Sequence, residues 1–194
     1  MKIANLTTAI MVAAIFGISQ PTFAAARSTE KTAATVTSVN RISKIEIRGN
    51  VQLYISDGTA DQVKVYGKTG AVTASAPDQN GVLRVSSFQE QKLVVWVTAS
   101  ELRSIAVYDN AEVRSFGALS VIDLDVKLYD NASAQLNMEA YQANITLNDN
   151  AKATISGNIS EVALRYDRSS FADTANLTSM HLCKTENSEG MANL

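Results

Sequence analysis

Three aspartates in matching surroundings are the residues of this chain best placed to do chemistry. Asp109 stands in "VYDNAEVRS", Asp130 in "LYDNASAQL" and Asp149 in "LNDNAKATI", each opening an Asp-Asn-Ala triplet, at separations of 21 and 19 residues. If these segments stack as neighbouring strands, adjacent carboxylates lie about 5 Å apart and alternate ones about 10 Å apart. That range brackets the about 5 to 9.5 Å between the paired carboxyl groups of glycosidases. The same file, with Asn110, Asn131 and Asn150, offers oxygens of the kind that Ca²⁺ collects, about six to eight at a time. Tight turns, however, select Asp and Asn for their own backbone chemistry, and stacked turns would repeat them with no ligand at all. A hydrolase must also wall a cleft and desolvate its acid, and no long inserted loop separates the copies. The dense calcium-binding repeats have a period of about nine residues written Gly-Gly-x-Gly-x-Asp, which is absent here. His181 is the only histidine, so a histidine cluster around a metal is excluded. No catalytic residue, metal site or cofactor is assigned on this pattern.

Tyr108, Tyr129 and Asn148 precede the triplets and alternate with the apolar residues, so they are expected to point outward beside the aspartates. Tyrosine combines contact area with a polar tip, which suits a sugar or a protein partner. Tyr108, Asp109, Asn110, Tyr129, Asp130, Asn131, Asp149 and Asn150 are therefore the candidate binding surface.

What must position them is a set of short strands. Ile105 and Val107, Val126 and Leu128, and Ile145 and Leu147 take one face before each triplet; a degenerate fourth copy, "LRYDRSS", places Asp167 18 residues past Asp149 and leaves its register open. A period of about 20 residues with strands and no helices is the mark of a solenoid. At about 3.3 Å per strand residue this predicts a single-stranded, right-handed parallel β-helix of about seven coils over residues 40–185, with a β-sandwich as the alternative. Earlier alternations, Ile45 with Ile47, Val51 with Leu53 and Ile55, and Val63 with Val65, fit the same strand pattern. "KLVVWVTASEL" is apolar on both faces, with Leu93, Val95 and Val97 against Val94 and Trp96, and is either covered twice or presents a sticky surface.

The chain has 194 residues, 46% of them hydrophobic and 19% charged, enough for one domain with a substantial core. Its formal net charge of −2, with lysine and arginine scattered, excludes an electrostatic footprint for nucleic acid. Residues 1–26 have a basic start, an apolar stretch of about ten residues, Pro21 and small residues at Ala24 to Ala26, the order of a secretory signal peptide. Residues 27–39 read as a linker and 186–194 as a polar tail. Cys183 is the only cysteine, so neither an internal disulfide nor a lipid anchor near the cleavage point is expected. The mature protein is expected in the periplasm or outside the cell, with no membrane insertion and an open oligomeric state.

"GNVQLYI" at 49–55, "LVVWVTASELRSIAVYDNAEV" at 93–113 and the two later triplet segments resemble the bacterial putative auto-transporter adhesin head, or GIN, domain family. The resemblance covers about residues 40–182. It implies a right-handed β-helix in an exported protein with an adhesin role, and carries no catalytic residues; the Asp-Asn-Ala turns depart from the family's Gly-Ser style. The sequence thus points to a non-catalytic, exported binding or adhesion module whose partner is a glycan or a cell-envelope protein. The alternatives are a carbohydrate-active hydrolase or lyase using the aspartates, and a structural envelope component.

Overall fold

Period-two alternation of apolar and polar residues runs through the chain, and strands are the only regular elements among the described residues. The computed structural model describes residues 33–38, 41–67, 73–75 and 80–187, with backbone alone for 33–38, 67 and 73–75. The signal-peptide segment 1–26, most of the linker segment 27–39 and residues 188–194 of the tail lie outside the described residues. The strands are β1 (Ala33–Ser38), β2 (Lys44–Gly49), β3 (Val51–Asp57), β4 (Gln62–Gly67), β5 (Thr73–Ser75), β6 (Val82–Ser87) and β7 (Leu93–Ala99). They continue with β8 (Ser104–Tyr108), β9 (Glu112–Ser115), β10 (Leu119–Leu128), β11 (Ser133–Leu147), β12 (Lys152–Tyr166), β13 (Phe171–Asp173) and β14 (Leu177–Glu186). Among the described residues no helix is long and apolar enough to cross a membrane.

The expected right-handed parallel β-helix of about seven coils is not what forms, and the β-sandwich alternative is not seen either. The 14 strands make one mixed sheet, curled through 288° into a half-barrel. Two features overturn the solenoid. First, β1–β4, β4–β7 and β5–β6 are antiparallel pairs. Second, the strands do not stack in chain order: β2 lies between β6 and β8, and β3 between β7 and β9. Alternation specifies which face a side chain takes, but parallel and antiparallel strands share it, so it leaves direction and order open.

Parallel, in-register pairing does hold around the triplets. Ile45, Ile105, Val126, Ile145 and Leu164 align across β2, β8, β10, β11 and β12, each no more than 1% exposed. Leu53, Val113, Ala134 and Ala153 form a second inner file. Each large aliphatic side chain so buried contributes about 1.5 to 3 kcal/mol, and these files hold the curl closed on its core. Edge strand β14 carries Lys184 and Glu186 opposite Leu164 and Tyr166 of β12. Charges at that edge discourage another strand from adding to it.

Candidate functional site

Each triplet closes a tight turn. The Ala111 N–H donates to the Tyr108 carbonyl at 3.2 Å, Ala132 to Tyr129 at 3.1 Å and Ala151 to Asn148 at 3.3 Å. Asp109, Asp130 and Asp149 have φ of 60°, 59° and 62°, the left-handed region that Asp and Asn tolerate better than other side chains. The triplet's alanines are fully buried, 0% exposed in all three turns, so the corner turns a methyl group into the core.

The aspartate carboxylates are occupied by the backbone of the neighbouring layer. Oδ2 of Asp109 accepts the Gly49 N–H at 3.1 Å, Asp130 accepts Asp109 at 3.1 Å and Asp149 accepts Asp130 at 3.3 Å. Gly49 itself has φ of 80°, so it heads the same file of left-handed corners. The file ends at Asp167, whose Oδ2 accepts the Asp149 N–H at 2.5 Å. Asp167 nonetheless stands one place out of register. Its N–H donates to the Leu147 carbonyl at 3.2 Å, as Asn148 does to Leu128 at 2.9 Å and Tyr129 to Val107 at 3.0 Å, so it occupies the tyrosine position. Partial burial alone would raise the Asp167 pKa, but the Asp149 N–H, the Ser170 hydroxyl and N–H and the Ser169 hydroxyl together hold it below the usual 3.8.

Beside this file Tyr108 and Tyr129 stack at 4.9 Å with their rings 3° apart, and the Arg48 guanidinium lies 4.4 Å over Tyr108. Asn131 donates its amide to Asn110 at 3.3 Å, while the Asn150 N–H donates to the Asp130 carbonyl at 2.9 Å. The structure therefore gathers Tyr108, Asp109, Asn110, Tyr129, Asp130, Asn131, Asp149 and Asn150 along one corner. Among the described residues no cluster of three or more His, Cys, Asp or Glu side chains is arranged to hold a metal ion.

These contacts predict an unusual order of substitution costs. Asp130→Ala loses the carboxylate that accepts from Asp109 and keeps a Cβ at positive φ, and should cost about 1 to 2 kcal/mol. Asp130→Gly loses the same acceptor but relieves the backbone, and should cost about 1 kcal/mol less than alanine. Thermal melts of the two variants decide the point; equal costs would deny the positive φ any energetic role.

A second surface lies on the outer face of β3, β4 and β7. Register sets outward side chains in rows: Lys64, Trp96, Tyr54 and Arg114 in one, and Gln62, Thr98 and Ser56 in the next. The Phe116 N–H donates to the Ile55 carbonyl at 2.7 Å, which brings its ring to the end of that face. Tyr54 stacks on Trp96 at 4.6 Å with 20° between planes, and Phe116 meets Trp96 edge-on at 5.3 Å. Ser56, Gln62, Lys64, Tyr66, Trp96, Thr98 and Phe116 line a hollow of about 360 Å³. Ser56 and Thr98 hydroxyls bond each other at 3.1 Å. The side chains of Gln62, Lys64 and Tyr66 have no hydrogen-bond or ion-pair partner among the described residues. Phe116 is 64% exposed, so this aromatic cluster faces water rather than the core.

Residues 41–194 match the family described as "Putative auto-transporter adhesin, head GIN domain". The chain belongs to that family. Solved structures share the fold of this GIN domain. One, described as a putative adhesin from Bacteroides fragilis, superposes with a TM-score of 0.70 at 14% identity, covering 82% of this chain and 78% of that one. A putative adhesin from Parabacteroides merdae gives 0.59 at 13% identity, over 81% and 78% of the two chains. A protein described as a putative lipid binding protein from Parabacteroides distasonis gives 0.59 at 7% identity, over 78% and 76%. No curated protein matches the GIN domain in sequence.

Of the hollow in this GIN domain, the sequence signals only Trp96, through a strand apolar on both faces. Lys64 and Phe116 reach it, and Tyr54 reaches the ring of Trp96 beside it, through the pairing of β3, β4, β7 and β9 and the Phe116–Ile55 hydrogen bond, which no local pattern announces.

Proposed function

We propose that this GIN domain is an exported, non-catalytic recognition module of the adhesin kind, and that it takes a glycan or protein of the cell envelope on the hollow beside Trp96. The observation that carries this reading is the solvent-facing cluster of Tyr54, Trp96 and Phe116, set beside polar groups that have no partner among the described residues. Aromatic area next to free hydrogen-bonding groups is the composition of a binding face, and buried tryptophan contacts dominate such faces energetically. Family membership and the signal-like residues 1–26 support export and adhesion. A hydrolase using the aspartates finds less support, because Asp109, Asp130, Asp149 and Asp167 already accept backbone N–H groups. The corner surface with Arg48, Tyr108 and Tyr129 serves in this reading as a second contact face.

Retention of the purified protein on isolated envelope material tests the proposal. Trp96→Ala should weaken retention about tenfold or more, the effect of losing a central aromatic anchor, with its melting temperature monitored alongside. Unchanged retention would place the binding face elsewhere.

A further inference from the structure

The recognition reading leaves the chemistry of the partner open, and the lining of the hollow narrows it. Tyr54 covers one face of Trp96 and does not itself line the hollow, whereas Trp96 does. Trp96 therefore brings aromatic surface to the hollow, between Tyr54 on one side and Lys64 and the edge-on Phe116, of a kind that suits a flat, weakly polar surface such as the C–H face of a pyranose. Around it stand the Gln62 amide, the Tyr66 hydroxyl and the paired Ser56 and Thr98 hydroxyls, donors and acceptors suited to sugar hydroxyls. A volume of about 360 Å³ lies at the small end of ligand pockets, which run from about 300 to 1,000 Å³.

Charge decides among sugars. Among the described residues no carboxylate lines the hollow, and Lys64 contributes the only formal charge in its lining. Lys64 has no ion-pair partner among the described residues, while the other cation of the same row, Arg114, lies 3.8 Å from Glu112. Three other lysines are paired, Lys44 with Glu46 at 2.7 Å, Lys92 with Glu112 at 2.6 Å and Lys127 with Asp125 at 2.7 Å, whereas Lys152 and Lys184, like Lys64, have no ion-pair partner among the described residues; of these three, only Lys64 lines the hollow. An uncompensated ammonium beside an aromatic face complements an anion carried on a ring, and a chain of net charge −2 offers such an anion no general attraction. We infer that the hollow binds a carboxylated sugar unit of an acidic polysaccharide, its ring on Trp96 and its carboxylate on Lys64. This rests on the recognition reading above.

The test uses the whole protein against four carboxylated polysaccharides, polygalacturonate, alginate, hyaluronan and polysialic acid, each paired with its methyl-esterified form. At least one acid form should bind, with its ester about tenfold weaker, the size of a close charge contact. Lys64→Gln should bring the acid down to the level of the ester and flatten its salt dependence, and Trp96→Ala should remove both. Equal binding of acid and ester, still lost in Trp96→Ala, would overturn the charge assignment and leave the recognition reading standing. Trp96-dependent capture of phosphatidylcholine vesicles, or a Trp96-dependent dimer in sedimentation, with none of the four polymers bound, would overturn the sugar assignment and give the hollow to a lipid surface or to a second copy of the chain. Retention on envelope material that survives Trp96→Ala would instead overturn the recognition reading itself.

Discussion

Gly49→Ala should lower the stability of the protein by about 3 to 4 kcal/mol, the sum of a left-handed alanine and an overpacked contact. Gly49 has φ of 80°, and a Cβ built on it would stand 2.2 Å from the Ser87 carbonyl oxygen. The backbone there has little room to give way. The Gly49 N–H is held by Asp109 at 3.1 Å, and the next N–H, that of Asn50, donates to the same Ser87 carbonyl at 2.6 Å. The Asn50 amide fixes the adjoining loop as well, through the carbonyls of Gln89 at 3.1 Å and Glu90 at 2.9 Å. For a domain of this size the loss corresponds to a fall in melting temperature of roughly 10 °C. Gly117 supplies the control. Its φ is 87°, yet nothing lies within 4 Å of its added Cβ, so Gly117→Ala should show the backbone cost alone, about 1 kcal/mol. Equal losses in the two variants would show that the approach of Ser87 carries no weight.

Gly49 also marks how far the sequence could be read. The corners were legible because a turn imposes a residue type: three aspartates with φ near 60° repeat a chemical demand that recurs along the chain. The inner files were legible because burial selects aliphatic residues at every second place, as at Ile105, Val126 and Ile145. The order of the strands was not. Nothing in the alternation of Val63 and Val65 says that β4 runs antiparallel to β7, and nothing in "GNVQLYI" says that β3 inserts between β7 and β9. Gly49 belongs to the same corner file as the triplets, although no Asp-Asn-Ala surrounds it, because glycine meets the same φ requirement by another route. Asp167 shows the converse: the residue type repeats, but the copy is one residue shorter between its inner-file residue and the aspartate, Leu164 to Asp167 against Ile145 to Asp149. That shifts it into the tyrosine position, and its side chain reaches back to complete the file. The aromatic hollow was partly legible for the same reason. A tryptophan on the outward face of a strand is visible in one segment, whereas Tyr54, Lys64 and Phe116 come from segments joined to it only by the ladders.

Asp61→Ala should be nearly as damaging, at about 3 kcal/mol from its lost hydrogen bonds, although a lone aspartate in a loop carries no sequence signal. Asp61 is 8% exposed, and its carboxylate ties together two segments far from it in sequence. Oδ2 accepts the N–H of Ile42, itself 0% exposed, and Oδ1 accepts both the N–H and the hydroxyl of Ser100 at 2.8 Å. Alanine leaves two N–H groups without an acceptor, one of them deep in the core, and each orphaned donor costs about 1 to 3 kcal/mol. Asparagine at this position would recover little, because its amide nitrogen would face one of those N–H groups, so Asp61→Asn should lie close to alanine. Nearby on the surface, Arg41 and Glu101 join the same two segments by an ion pair of 3.5 Å, with side chains 70% and 52% exposed. Such a pair is worth about 0 to 1 kcal/mol, so Glu101→Gln should barely move the melting temperature. Denaturant melts of the three variants, with amide exchange followed at Ile42 and Ser100, separate the two contacts. If Asp61→Ala cost no more than Glu101→Gln, the junction of these segments would depend on apolar packing around Ile42 and Leu102 rather than on the carboxylate; a large loss together with fast exchange at Ile42 assigns it to Asp61.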